Sequence, residues 1–164
     1  MVATGIRAIA MILLILSVPA AQHARQLKDE AVILQFQRAA DSYAFEHRQT
    51  ERRGAAPARL VEGAFFTPQV AAALRDRLRA AGCKNAAGEE FVVPRVNSSS
   101  EGTSPVESCM SAVLPKLPPE LEYRVAGVVL VLADAHLHIV VDILHGAFPL
   151  SSPASLHDLD DHRD

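Results

Sequence analysis

The chain opens on an almost unbroken apolar run, Ala8–Val18, after a short segment with a single positive charge, Arg7. A helix that crosses a bilayer needs roughly 20 apolar residues, and this run is shorter; Val18-Pro19-Ala20 then supplies the small residues signal peptidase requires. Residues 1–20 are therefore read as a cleavable signal peptide cut after Ala20, with an uncleaved membrane anchor as the alternative. From Arg25 to Arg53 the pattern changes to a helical one, free of Gly and Pro, with Val32, Phe36, Ala39, Ala40, Tyr43 and His47 recurring at steps of three and four until Gly54. The stretch Ala55–Phe66 does not choose between a loop and a short helix. Thr67-Pro68 is a clean restart, an N-cap followed by proline at the first helical position, and predicts a helix to Ala81 with Val70, Ala73, Leu74 and Leu78 on its buried face.

Beyond Glu90 the residues favour extended structure. Phe91–Val96 is β-type, but Pro94 limits it to an edge strand or an irregular extended segment. Asn97–Ser104 is a serine-rich stretch that predicts a flexible loop; its Asn97-Ser98-Ser99 sequon is a common chance tripeptide and carries little weight. Ser104-Pro105-Val106-Glu107 has the form of a capping box with proline at the first helical position, so a helix is expected to start there, to bury Val106, Cys109, Met110, Val113 and Leu114, and to stop at Pro115. After the connector Leu117-Pro118-Pro119, the segment Glu122–Ile143 predicts three antiparallel strands, broken at Gly127 and at Ala133-Asp134-Ala135. In the third strand Leu137, Ile139, Val141 and Ile143 alternate with His138, Val140 and Asp142, which assigns the first set to the core and the second to the wet face. The result is an α+β fold: a long N-terminal helix and shorter helices packed on a small C-terminal antiparallel sheet.

Removal of 20 residues from the 164-residue chain leaves enough for one domain with a real core, placed at 21–148. The polar, acidic, aperiodic residues 149–164 are read as a disordered tail. Charge divides unevenly: residues 22–96 hold 12 Lys and Arg against 9 Asp and Glu, whereas 97–164 hold 3 against 10. That acidity argues against nucleic acid or an anionic membrane surface as partner, because both select dense basic faces. The partner expected instead is an unknown protein or envelope component, with membrane contact only through an uncleaved signal. The two cysteines, Cys83 and Cys109, would enter an oxidising compartment and are expected to form a disulfide, worth about 3 kcal/mol in the chain-entropy model.

Several of these pieces together, Phe36-Gln37-Arg38 with Tyr43 and His47-Arg48, then Phe66-Thr67-Pro68-Gln69-Val70, Arg95-Val96-Asn97, and above all Leu117-Pro118-Pro119-Glu120-Leu121-Glu122-Tyr123-Arg124 followed by Gly127, Leu130, Leu132, Asp134 and Ile139–Asp142, carry a resemblance. The chain resembles a group of small, signal-peptide-bearing bacterial proteins of unknown function, and departs from them in its cysteines, its serine-rich loop and its acidic, His-bearing tail. The resemblance implies an exported single domain and transfers no catalytic or binding residue.

No G-x-S-x-G elbow, Ser-x-x-Lys pair, H-E-x-x-H motif or glycine-rich phosphate loop is present. The suggestive cluster is His136 and His138, two apart on a strand, with Asp142, flanked by Asp134 and His145. Imidazole and carboxylate would hold zinc or copper, and the tail's His157, Asp158, Asp160, Asp161 and His162 offer a looser set. The competing explanation makes Asp134 a turn residue and His138 and Asp142 the wet side of a strand. Three readings stay open: an exported non-catalytic interaction module of the cell envelope, which is preferred and needs no cofactor; a metal-binding exported protein; and an enzyme without a local motif.

Overall fold

The computed structural model describes residues 6–54, 58–83 and 91–148, with only the backbone described for 6–23. Helix α1 spans Ile6–Arg53. It starts upstream of the expected Arg25, so the backbone of the expected signal segment is helical from Ile6 and runs without a break into the amphipathic stretch. Within residues 24–53, Ile33, Phe36, Ala40, Ala44 and His47 are buried, one face at helical spacing. Val32, Ala39 and Tyr43 pack at its margin.

Helix α2, Pro68–Ala80, begins where Thr67 and Pro68 predict, the Thr67 hydroxyl accepting from the Val70 N–H. It buries Val70, Ala71, Ala73, Leu74 and Leu78 against α1. Gly82, at φ +66°, closes it, and the Cys83 N–H turns back to the Leu78 carbonyl.

A capping box at Ser104 is not what forms. Ser104–Pro105 is a two-residue strand, β1, and the short helix α3 is Ser108–Val113, with Glu107 in the N-cap position making no side-chain cap. The reason is tertiary. Ser104 and Pro105 pair with Val125 and Arg124, and the Arg124 guanidinium clamps both the Thr103 hydroxyl and the Thr103 carbonyl at 2.6 Å. Strand pairing and a charge-assisted clamp outweigh a local helix-start signal. α3 consequently buries Met110 and leaves Cys109 exposed, the reverse of the expectation for the cysteine.

Strands β2 (Leu121–Ala126), β3 (Val129–Asp134) and β4 (Ile139–Leu144) form as predicted in number and direction, and the sheet is an antiparallel meander in the order β1-β2-β3-β4. The fold is α+β, with helices on one face of the sheet. Leu121, Val125, Leu130, Leu132, Val141 and Leu144 meet the helices, while Ala126, Val129, Val131, Val140 and Ile143 form a second apolar layer on the opposite face. That second face is covered in part by the extended segment from Phe91 to Ser98. Val96 packs on it, and the Phe91 ring lies so close over Gly127 that a Cβ there would sit 2.2 Å from it.

Two expectations are corrected at β4. The alternation Leu137, Ile139, Val141, Ile143 against His138, Val140, Asp142 does not hold. Leu132 pairs with Asp142 and Ala133 with Val140, so Val141 is an extra residue, a β-bulge. Cross-strand partners share a face, so the bulge turns both Val141 and Asp142 toward the helices and sends Val140 and Ile143 to the other side. Asp142 is fully buried. Neither is Asn97–Ser104 a free loop. Asn97 N–H donates to the Val140 carbonyl, Val140 N–H to that of Ser98 and Ser100 N–H to that of His138, each at 2.8 Å. The segment thereby covers the outer edge of β4. Asn97, at φ 66°, also binds the backbone N–H and carbonyl of Leu60 through its side-chain amide.

Candidate functional site

Two carboxylates, Asp134 and Asp142, lie on the helix-facing side of the sheet with no exposure. A buried carboxylate is tolerated only when its lone pairs are met. Asp142 Oδ1 accepts from Gly63 N–H at 2.7 Å and from its neighbour Ile143 N–H at 2.8 Å, and Oδ2 accepts from Phe65 and Phe66 N–H at 2.8 and 2.7 Å. Residues 62–66 fold into a turn around this anion, with Gly63 at φ +81°. The turn presents Phe65 and Phe66 to the core: Phe66 stacks on Phe36 at 5.8 Å, and Phe65 meets Tyr43 edge-on at 5.8 Å. The Ala55–Phe66 question is thus settled for its described part, 58–66, as a turn and not a helix.

Asp134 ties the β3–β4 turn to α1. Its Oδ1 accepts from the His136 and Leu137 N–H groups at 2.9 and 2.7 Å, an Asx arrangement, and its Oδ2 accepts the Tyr43 hydroxyl at 2.8 Å. His47 Nε2 lies 3.1 Å from the same Oδ2. That contact is out of line for a hydrogen bond, and neither ring nitrogen of His47 makes one among the described residues. Around the imidazole stand Glu51, 3.7 Å from Nδ1, and the His136 ring, 5.8 Å away edge to face. Burial first, then the hydrogen bond and the negative charge of Asp134, push the Tyr43 hydroxyl well above the ordinary tyrosine range. Arg48, the next residue on α1, pairs with Glu120 just before β2. Burial alone would raise the Glu120 carboxyl, but the Arg48 hydrogen bond, a backbone hydrogen bond and the Arg48 and His136 charges together hold it below its usual value.

This Tyr43–His47–Asp134 cluster, with Arg48–Glu120 beside it, is the polar centre of the domain. The sequence marked Tyr43 and His47 as core-face residues and Asp134 as a turn residue; it did not show that they meet. A signal was present in the offset of one turn between Tyr43 and His47, two polar side chains on an otherwise apolar stripe. What the arrangement does is fix the β3–β4 turn against α1.

The expected metal set is not brought together. His136 and His138 are exposed in the β3–β4 turn, His138 at φ 54°, so the pair is not on a strand. Asp142 sits on the buried face with its oxygens taken by four amides. Among the described residues no group of three His, Cys, Asp or Glu side chains is placed to hold a metal ion. The tail residues His157, Asp158, Asp160, Asp161 and His162 lie outside the described residues. Cys83 and Cys109 are joined by a disulfide with Cα atoms 5.9 Å apart, which staples the end of α2 to α3. Among the described residues an open, polar groove runs between α1 and α2, lined by Arg25, Gln26, Asp29, Glu30 and Arg77, away from the cluster.

Fold and site together define a disulfide-stapled α+β domain in which helices lie on one face of an antiparallel meander. No family model matches the chain, and no curated protein does. Among solved structures it is similar to the C-terminal domain of inner membrane protein CigR from Salmonella enterica, at 17% sequence identity and a TM-score of 0.36, over 57% of this chain and 97% of that one.

Proposed function

We propose that this protein is an exported domain, periplasmic or secreted and released by cleavage after Ala20, that acts without catalysis as an interaction module of the cell envelope. The observation that carries the interaction reading is on α1. Opposite its core face, Leu27, Leu34 and Phe45 stand 54%, 48% and 59% exposed. Single exposed apolar residues are ordinary, but three large ones aligned on the outer face of one helix form a surface suited to a protein partner. Export is supported by the apolar leader and by the disulfide. A bridge with one exposed cysteine is accessible to cytosolic reductants and persists in an oxidising compartment.

The test is to express the full chain with its own leader in a bacterial host, fractionate the cells, and measure intact mass and free thiols. The expected product is in the envelope or medium, begins at Ala21 and has no titratable thiol. Full-length protein in the cytosol with two free thiols would overturn the export reading. A photo-crosslinking residue at Phe45 should give a discrete adduct in the fraction where the protein resides; a chain that stays uncrosslinked would overturn the interaction reading.

A further inference from the structure

The outer face of α1 has a sequence of its own. Leu27, Ala31, Leu34, Arg38, Asp41 and Phe45 succeed one another at alternating steps of four and three, a heptad seam, and all six are exposed. Such a seam is the contact line of one helix with another. Its centre carries an arginine and an aspartate, and neither makes an ion pair within the chain among the described residues. A purely apolar partner would leave both charges desolvated and unpaired.

We infer that the occupant of this face is the α1 helix of a second copy of the same chain, packed antiparallel. In the register that sets Leu34 against Phe45 of the second copy, Arg38 falls against Asp41 of that copy. The two-fold symmetry repeats both pairs, and Leu27 reaches the aliphatic stem of Arg52. Each layer then places a first heptad position against a fourth, which is how antiparallel helices mesh. A parallel pair would oppose Arg38 to Arg38 and Asp41 to Asp41, so the charges select the orientation as well as the partner. The antiparallel arrangement sends the two N-termini to opposite ends, which suits chains freed from their leaders and not two chains anchored in one bilayer. The inference therefore rests on the exported, cleaved form proposed above.

The experiment uses the protein exported from the full chain, its N-terminus established by mass, in sedimentation velocity from about 1 to 200 µM. The expected result is a concentration-dependent dimer. Arg38→Asp and Asp41→Arg each oppose like charges twice and should weaken it by roughly 100-fold. The double variant Arg38→Asp/Asp41→Arg should restore it. So should an equimolar mixture of the two single variants, which pairs opposite charges across the seam. Unchanged far-UV spectra and a cooperative thermal transition show that the singles are folded, since both positions are exposed. A monomer throughout the concentration range, or single variants that neither the double nor the mixture rescues, would overturn the inference. A leader still attached in the mass measurement would instead strike the cleavage after Ala20, and sedimentation reports on the seam separately.

Discussion

Asp142→Asn replaces a carboxylate by an isosteric amide at a site where four backbone N–H groups converge, two on each oxygen. Whichever way the amide turns, its NH2 group faces two donors. Either Gly63 and Ile143 or Phe65 and Phe66 then lose their acceptor. A buried N–H left without a partner costs about 1–3 kcal/mol, and the two surviving bonds lose their charge assistance. The expected destabilisation is about 3–5 kcal/mol, a large share of the roughly 5–15 kcal/mol that holds an ordinary domain folded. At this size, 1 kcal/mol moves the melting temperature by about 3–5 °C, so a fall of about 10–20 °C is expected. Urea unfolding followed by far-UV circular dichroism at neutral pH measures it, with Glu46→Gln, on an exposed position of α1 away from the Leu27–Phe45 seam, as a control that should stay within about 0.5 kcal/mol of the parent. A parent-like midpoint for Asp142→Asn, within about 1 kcal/mol, would refute the assignment of Asp142 as the anion around which residues 62–66 fold.

Replacing Cys83 and Cys109 together by alanine should lower stability by about 3 kcal/mol, read as a shift in urea midpoint, while reductant leaves the variant's midpoint unchanged. Glu120 is held below its usual value in the fold, so its contribution is fully present above the unfolded carboxylate range, near 4.5, and is lost as pH falls through the depressed folded value. Glu120→Gln should therefore shrink the acid limb of a stability-against-pH curve. Tyr43 is shifted upward, so its contribution is full below about pH 10 and is lost as pH rises beyond that; Tyr43→Phe should shrink the alkaline limb, to which the buried Tyr123 hydroxyl also contributes, and, by depriving Asp134 of a donor, cost about 1–2 kcal/mol at pH 7. Gly127→Ala meets both a φ of +57° and the Phe91 ring, and should cost about 2–3 kcal/mol in the same unfolding assay; Phe91→Ala in the same chain should recover part of that loss by clearing the contact.

What the sequence by itself determined is local. The core stripe of α1 through Phe36 and Ala40, the Thr67-Pro68 start of α2, and the break at Gly127 rest on interactions within a few residues of each other, and each is where the pattern places it; the β3–β4 turn falls at 135–138, after the expected Ala133-Asp134-Ala135, because Ala133 and Asp134 pair with Val140 and Ile139. The α+β class comes from those elements. Tertiary structure decided the rest, because the deciding partners are remote in the chain. Ser104–Glu107 has every local feature of a helix start, yet pairing with Val125 and Arg124 draws Ser104 and Pro105 into the sheet. Asn97–Ser104 has a loop's composition but is held by the edge of β4. The inserted residue at Val141 belongs to the register between β3 and β4, so period-two alternation put Asp142 in water when the bulge puts it under Phe65 and Phe66. Tyr43, His47 and Asp134 meet only when the β3–β4 turn lands on α1, a contact across about 90 residues that no spacing in the sequence encodes.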